Sequence, residues 1–468
     1  MSSDTTNRPI TRLECFAFLV AMIGVQLSSE LFAQWGTYFY SPPANTGRIV
    51  YVAIGLVAVI FMAGRIFDIV TDSLIGIWSD RASHTPGKFR LVPIRGRRRP
   101  FIFWGSILMT VTGIAFWYPP IAETSSTNLV FGTVIMSLHW GFYTLAYIPI
   151  LALSLDFARD EQSRIRLGTW IAVGMILGIV GSALLPGELI ATLDPARQVT
   201  EDGVEEFSAV GYQRVSMIFA AISLFTFQFF IFIVKEPEDN TAPSAPHKLH
   251  QEILLAFRLP LFRRYLTIFF LFYIGILANQ RATPYWVQLG VGGDESAVTT
   301  LGIPFLIFCL LSALACPLLI KRFSLKSLMI IAIGAMGVGL PFMYLVAIID
   351  ADFATKMKLA SILYALKGVG LGMMYVLATP LVGQIVDQYA RDFGERKEAV
   401  FNAMHAMMVK FAQVFSILLA TQTMNRFGNS AEEPTGIFLV APIASIFCFA
   451  AFVLATQYPS TQTTKKEN

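Results

Sequence analysis

The sequence predicts an all-α integral membrane protein whose chain crosses the bilayer twelve times. Hydrophobic residues make up 55% of the 468 residues and charged residues only 14%, whereas a soluble domain typically carries about 25% charged residues. The mean hydropathy is +0.61. Twelve apolar runs reach the length of about 20 residues that a membrane-spanning helix needs. Lysine and arginine are concentrated in alternate loops between these runs.

The apolar runs form two groups of six predicted spans. The first group comprises residues 14–40, 48–78, 100–119, 128–156, 165–193 and 212–234. The second group comprises residues 264–290, 297–320, 326–349, 357–387, 398–426 and 435–457. Several runs approach 30 residues, so we expect these helices to be tilted or to extend beyond the hydrocarbon.

The distribution of basic residues predicts which loops face the cytoplasm. With the N-terminus inside, the cytoplasmic segments hold 25 of the 35 lysine and arginine residues, and the outer loops hold six. Cytoplasmic loops of membrane proteins are enriched in basic residues. We therefore expect a multi-pass protein of the cell (inner) membrane with both termini in the cytoplasm. The polar N-terminal segment lacks the apolar core and cleavage site of a removable signal peptide.

The chain divides near its middle. The segment KEPEDNTAPSAPHKLHQ, which starts at Lys235, has the composition of a linker, and the following EILLAFRLPLFRR is predicted to lie along the inner membrane surface. We predict an N-terminal six-helix bundle (1–234), a cytoplasmic linker (235–263) and a C-terminal six-helix bundle with a short cytoplasmic tail (264–468). This layout is typical of a transporter that binds its solute between two halves at mid-depth.

The second span contains two acidic residues on one helix face. Asp68 and Asp72 are four residues apart, which places them one above the other on a helix. A carboxylate at the centre of a membrane helix costs about 2.5 to 3.5 kcal/mol on the insertion scale. A structural ion pair with Arg65 would account for one of the two acids but would not explain Asp72. Because intramembrane charges usually mark ion or substrate paths, the pair is predicted to be functional.

Polar side chains also lie inside other predicted spans. They are Gln26, Glu30, Gln34, His139, Trp140, Thr144 and Tyr147 in the first half, and Asn279, Gln280, Arg281, Tyr285, Trp286, Lys367, Asn402, His405 and Lys410 in the second half. The intramembrane acids are thus in the first half and the second half contributes intramembrane cations. Two compatible interpretations stay open: these charges hold the halves together, or they take part in transport. The two histidines are interpreted as helix-interface residues.

Several classes of protein are excluded by what the sequence lacks. The four cysteines have neither CxxC nor Cys/His spacing, so disulfide and metal chemistry are not indicated. The sequence has no GxxxxGK[ST] loop, which argues against an ATP-driven pump. It also has no nucleophile–base cluster, so we expect no enzyme activity, no catalytic residue and no organic cofactor. The net charge of +4 reflects topology and does not indicate a nucleic-acid partner.

Four stretches of the sequence resemble a known family. They are GRIFDIVTDSLIGIWSDR with GKFR, YTLAYIP with LSLDFARDEQSR, LPLFRRYL, and IVDQYARDFGERKEAVFNAMHAMMVK. Together they resemble the melibiose-permease-like family of glycoside–pentoside–hexuronide:cation symporters, which lies within the major facilitator superfamily. The string GRRRPFIF is also similar to the sucrose-transporter branch. The resemblance implies the major facilitator fold and a symporter that works by alternating access.

The resemblance also implies roles for individual residues. Asp68 and Asp72 match the carboxylates that bind the coupling cation, Thr144 matches a hydroxyl that assists them, and Lys410 matches a lysine near that site. Arg65 matches an arginine close by. Asp80 and Arg81 match the signature of the loop between the second and third helices.

The residues on the sugar side depart from the family. Tyr147 and Leu151 replace the family's fourth-helix aspartate and tryptophan, and Gln26 lies nearest to its first-helix aspartate, with Glu30 one turn away. We therefore expect melibiose and lactose to be poor substrates. The candidate substrate-binding residues are Glu30, Gln26, Arg65, Tyr147, Trp140 and Arg281.

The predicted function is secondary active uptake of a sugar or glycoside coupled to Na⁺ or H⁺. The alternative is a carrier of a non-sugar solute, such as a lipid or a drug-like molecule, on the same scaffold. The predicted partners are a small-molecule solute and the lipid bilayer. The choice between Na⁺ and H⁺, the direction of transport and the identity of the solute stay open.

Overall fold

The computed structural model describes residues 10–82, 96–157, 161–196, 208–236, 257–394 and 397–459. Almost all of these residues are helical, which confirms the predicted all-α class. Most of the predicted linker at 235–263, part of the segment EILLAFRLPLFRR and the C-terminal tail lie outside the described residues. The side chains of Asp80 and Arg81 lie outside them as well.

Twelve helices occupy the positions of the twelve predicted spans in this part of the chain. The first six are α1 (Arg12–Tyr40), α2 (Ile54–Arg81), α3 (Arg99–Ala115), α4 (Ser126–Phe157), α5 (Glu161–Leu184) and α6 (Val210–Ile233). The next six are α7 (Pro260–Trp286), α8 (Glu295–Ile320), α9 (Leu325–Ile348), α10 (Phe353–Phe393), α11 (Glu398–Phe427) and α12 (Thr435–Thr456). Eleven of them are long and apolar enough to cross a membrane, whereas α3 has 17 residues.

α10 is longer than the predicted span 357–387 because polar residues continue it at both ends. Its 41 residues extend over about 60 Å, about twice the hydrocarbon thickness. Asp352 caps its start by accepting a hydrogen bond from the backbone N–H of Thr355, and hydrogen bonds from Thr355 lower the pKa of the Asp352 carboxyl. Gly394 ends the helix in the left-handed conformation, with φ of 80°.

The chain forms two compact units. The first unit comprises residues 1–42 and 47–246, and the second comprises residues 43–46 and 247–468. In the first unit, α1 packs on α5 and α6, α3 packs on α4 and α6, and α2 packs on α4. In the second unit, α7 packs on α11 and α12, α9 packs on α10 and α12, and α8 packs on α10. Each of these five pairs in the first unit has a counterpart six helices later, so the two units share this pattern of helix packing.

Close approach of α8 and α10 depends on glycine. A Cβ atom added at Gly372 would lie 2.1 Å from the carbonyl oxygen of Cys309 and 2.3 Å from Oγ of Ser312. Because the first of these is a backbone atom, it can move only if the two helices separate. Gly383, eleven residues later on the same helix, has open space where its Cβ would be.

We expect Gly372→Ala to destabilise the second unit and Gly383→Ala to be neutral or stabilising. Overpacking a helix contact costs about 1 to 3 kcal/mol, whereas alanine in place of a helical glycine gains about 1 kcal/mol where space allows. The melting temperatures of the two purified variants measure the difference. An unchanged melting temperature for Gly372→Ala would contradict the close packing of α8 on α10.

Candidate functional site

The first unit has a close crossing of α2 and α4. A Cβ added at Gly64 on α2 would lie 2.7 Å from Cγ of Met136, and one added at Gly141 on α4 would lie 2.7 Å from the ring of Phe67. Glycine at both positions lets the helices approach closely, as small residues do in membrane proteins. The crossing brings the side chains of the second span against those of the fourth.

At this crossing Thr144 contacts both acidic residues of α2. Its Oγ1 lies 2.9 Å from Oδ1 of Asp68 and 3.2 Å from Oδ1 of Asp72. Thr144 is buried and Asp68 is only 1% exposed, whereas Asp72 is half-buried. A hydroxyl has a single hydrogen and donates it to one carboxylate at a time. The contact of Thr144 with the other carboxylate is therefore favourable when a proton or a cation also lies among these oxygens.

Arg65 lies between Asp68 and Trp140. Its guanidinium nitrogen Nη1 is 3.3 Å from Oδ2 of Asp68, and its Cζ lies 3.5 Å from the centre of the Trp140 ring. A cation over a tryptophan ring gains about 0.5 to 2 kcal/mol, more when the pair is desolvated. Trp140, predicted as a substrate-binding residue, thus has one ring face covered by Arg65.

The aromatic side chains of α4 form a continuous row. The ring centres of Trp140 and Tyr143 are 5.1 Å apart, and those of Tyr143 and Tyr147 are 5.5 Å apart. Tyr143 lies between Trp140 and Tyr147 and is not among the residues predicted from the sequence. The spacing of three and then four residues was the signal, because such residues share one helix face.

Gln26 and Glu30 lie on α1, which packs on α5 and α6. A Cβ atom added at Gly178 on α5 would lie 2.6 Å from the Cβ of Gln26. Glu30 is half-buried and lies two residues before the start of a π-helical segment, Phe32–Gly36. π-Bulges inside α-helices are frequent at functional sites. α7, the counterpart of α1 in the second unit, also continues into a π-helical segment, Val287–Val291.

The predicted site residues Arg281 and Lys410 belong to the second unit. Arg281 is buried on α7, and Lys410 is half-buried on α11. Their roles in substrate and cation binding stay predictions.

The two intramembrane histidines lie at helix interfaces. The ring nitrogens of His139 on α4 lie 3.2 Å from the carbonyl oxygen of Met109 on α3 and 3.3 Å from that of Ser28 on α1. His405 on α11 pairs through Nδ1 with the hydroxyl of Tyr265 on α7 at 2.9 Å. Both contacts agree with the interpretation of these histidines as interface residues.

The arginine string GRRR joins the predicted inner ends of three helices in the first unit. Glu236 Oε2 accepts hydrogen bonds from the backbone N–H groups of Arg97 and Arg98, at 2.7 and 2.9 Å. The Arg98 side chain pairs with Asp156 near the end of α4. Arg99 donates a hydrogen bond to the carbonyl oxygen of Ile231 in α6, at 2.6 Å. These contacts attach the start of α3 to the ends of α4 and α6.

Comparison with known proteins places the chain among transporters. Residues 17–462 match the family of MFS/sugar transport proteins. Over 412 residues, which cover 85% of this chain and 81% of the relative, the sequence is 24% identical to the uncharacterized symporter YjmB of Bacillus subtilis (strain 168). Over 150 residues, 31% of this chain and 29% of the relative, it is 27% identical to the putative glycoside/cation symporter YagG of Escherichia coli (strain K12).

The fold is similar to the crystal structure of a D-xylose-proton symporter. The TM-score is 0.65 at 14% sequence identity, over 96% of this chain and 98% of that protein. The major facilitator fold is therefore confirmed, as is the resemblance to symporters of this superfamily. Because the family match covers nearly the whole chain, this multi-pass membrane protein belongs to the MFS/sugar transport family.

Proposed function

We propose that the protein couples the uptake of a sugar or glycoside to a cation bound by Asp68, Asp72 and Thr144. The single observation that carries this proposal is the contact of one buried hydroxyl with two carboxylates from successive turns of α2. The two carboxylates offer more hydrogen-bond acceptors than the single hydroxyl proton of Thr144 can satisfy. Such a site is suited to a cation that binds and dissociates. The names of the symporter relatives support coupling to a cation.

Both candidate cations fit the chemistry of this site. The two carboxylates and the hydroxyl supply up to five oxygen atoms, and hard cations such as Na⁺ take oxygen ligands. A proton shared between the two carboxylates also makes the contact of Thr144 with both of them favourable. Lys410 remains part of the proposal through the family resemblance, as a positive charge near the cation site.

The proposed solute is a sugar or a glycoside. The family description and the putative glycoside/cation symporter support this class. The proposed substrate-binding residues are Glu30, Gln26, Arg65, Tyr147, Trp140 and Arg281. We propose Glu30 as the principal hydroxyl-binding carboxylate, because a carboxylate that accepts sugar hydroxyls forms charge-assisted hydrogen bonds. We also propose that both termini lie in the cytoplasm.

Uptake by purified protein in proteoliposomes tests the proposed function. A panel of sugars, glycosides and a lysophospholipid is offered with a Na⁺ gradient, with a proton gradient and with neither. We expect at least one sugar or glycoside to accumulate with one of the two gradients, and Glu30→Gln to lower the affinity for it at least tenfold. Uptake that never depends on an ion gradient would contradict symport, and accumulation of the lipid alone would favour the non-sugar alternative.

A further inference from the structure

In the second unit, the described helices carry intramembrane cations, and their acidic residues lie at or near the helix ends. In its described helices, Glu295 and Glu398 are the first residues of α8 and α11, and Asp387 and Asp392 lie in the last two turns of α10. No other acidic residue lies in these six helices. The interior of the unit nevertheless carries Lys367, which is only 3% exposed.

Lys367 is held by neutral groups. Its ammonium donates a hydrogen bond to Oδ1 of Asn279 on α7, and it lies 3.9 Å from the centre of the Tyr364 ring, one turn earlier on α10. An ammonium has three N–H donors, and this hydrogen bond uses one of them. A buried charge is strongly disfavoured unless an opposite charge accompanies it. The described contacts of Lys367 include no carboxylate.

The groups around Lys367 are fixed by a chain of hydrogen bonds. Thr283 Oγ1 pairs with the Tyr364 hydroxyl at 2.8 Å and donates to the carbonyl oxygen of Asn279 at 3.0 Å. Nδ2 of Asn279 faces Sδ of Met343 on α9 at 3.3 Å, which directs Oδ1 towards Lys367. Three helices therefore hold the ammonium in one position before any ligand arrives, and such preorganisation favours binding.

Lys367 lies inside the predicted span 357–387 of α10. Lys367 is fourteen residues beyond the start of α10 at Phe353, which is about 21 Å along the helix axis. Solute sites of secondary transporters lie near the bilayer midplane.

We propose that Lys367, positioned by Asn279 and Tyr364, binds an oxyanion of the transported solute, so that the solute is an acidic sugar or glycoside. This inference rests on the proposed function and specifies that the transported solute carries a negative charge. The hydrogen bond to Asn279 does not use all the N–H donors of the ammonium, and a charge-assisted hydrogen bond from the ammonium to a carboxylate oxygen is a strong one. A sugar phosphate offers the same chemistry. The competing interpretation is that Lys367 only joins α10 to α7.

Binding of three matched probes to the full-length protein in proteoliposomes tests the inference. The probes are methyl β-glucoside, which is neutral, methyl β-glucuronide, which carries a carboxylate, and glucose 6-phosphate. We expect an anionic probe to bind at least tenfold more tightly than methyl β-glucoside, and the identity of that probe separates a carboxylate from a phosphate. Lys367→Gln should abolish the preference, and Lys367→Arg should retain it.

Asn279→Asp is the second variant. It keeps the Lys367 ammonium, so its result does not depend on whether the protein folds without a charge at position 367. The new carboxylate gives Lys367 an internal counter-ion, so we expect a folded protein that has lost its preference for anionic probes. Lys356→Gln is the matched control, because Lys356 lies on the same helix and donates to the backbone carbonyl oxygens of Gly290 and Ala347. We expect this control to keep the preference.

Two results would overturn the inference. One is a wild-type protein that binds methyl β-glucoside as tightly as both anionic probes. The other is a preference that survives both Lys367→Gln and Asn279→Asp. If neutral sugars still accumulate with an ion gradient, the proposed function stands and only the role of Lys367 is wrong. Failure of every sugar and glycoside to accumulate would contradict the proposed function itself.

Discussion

We expect Asp68→Asn and Asp72→Asn each to abolish accumulation of solute against its concentration gradient, while exchange of solute between the two sides continues. The reason is that an amide has the shape of the carboxylate without its charge, so the pair has one negative charge fewer to hold the proposed coupling cation. Thr144 still has an acceptor in either variant, because each leaves one carboxylate within 3.2 Å. Proteoliposomes loaded with labelled solute measure exchange and net accumulation separately. We expect the accumulation ratio to fall at least tenfold.

Threonine variants on α4 provide a matched pair for this experiment. Thr144→Val removes the hydroxyl shared by the two acids and should weaken the affinity for the coupling ion. Thr133→Val is the control, because the Thr133 hydroxyl bonds only the carbonyl oxygen of Leu129 in its own helix. Uptake measured against Na⁺ concentration at fixed pH, with the proton gradient collapsed by an ionophore, separates the two ions. If both aspartate variants still concentrate solute, Asp68 and Asp72 are structural.

We expect Arg65→Met to lower the stability of the first unit sharply, and Asp68→Asn in the same chain to restore most of it. Asp68 is buried and pairs with Arg65 across 3.3 Å. Removing one partner of a buried ion pair costs about 3 to 5 kcal/mol, because the charge that stays buried has lost its ion-pair partner. The contact with the Trp140 ring is lost as well. The double variant removes both charges, and replacing a whole pair by neutral groups is often nearly neutral.

Thermal unfolding of the purified single and double variants measures this rescue. Lys358→Met on α10 is the control, because Lys358 is exposed and surface substitutions usually change stability by less than about 0.5 kcal/mol. The double variant should recover its melting temperature without recovering coupled uptake, since it lacks an acid of the proposed cation site. A double variant no more stable than Arg65→Met would show that the Arg65–Asp68 pair does not account for the loss.

The sequence by itself determined the number and order of the helices and the position of the acidic pair. Both follow from properties of short stretches: an apolar run of about 20 residues can satisfy its backbone only as a helix in lipid, and a spacing of four places Asp68 and Asp72 on one face. The ends of the helices were less predictable. α10 continues to Phe393 because polar residues extend it beyond the hydrocarbon, where hydropathy carries no signal.

The tertiary structure decided which side chains from different helices meet. Thr144 is 72 residues from Asp72 in the chain, and the two touch because Gly64 and Gly141 allow a close crossing of α2 and α4. The same crossing covers one face of Trp140 with Arg65, which composition and spacing do not reveal. Lys367 and Asn279, 88 residues apart, are brought together by α7 and α10. Spacing along one helix is a local property, whereas contact between helices depends on how closely their backbones can pack.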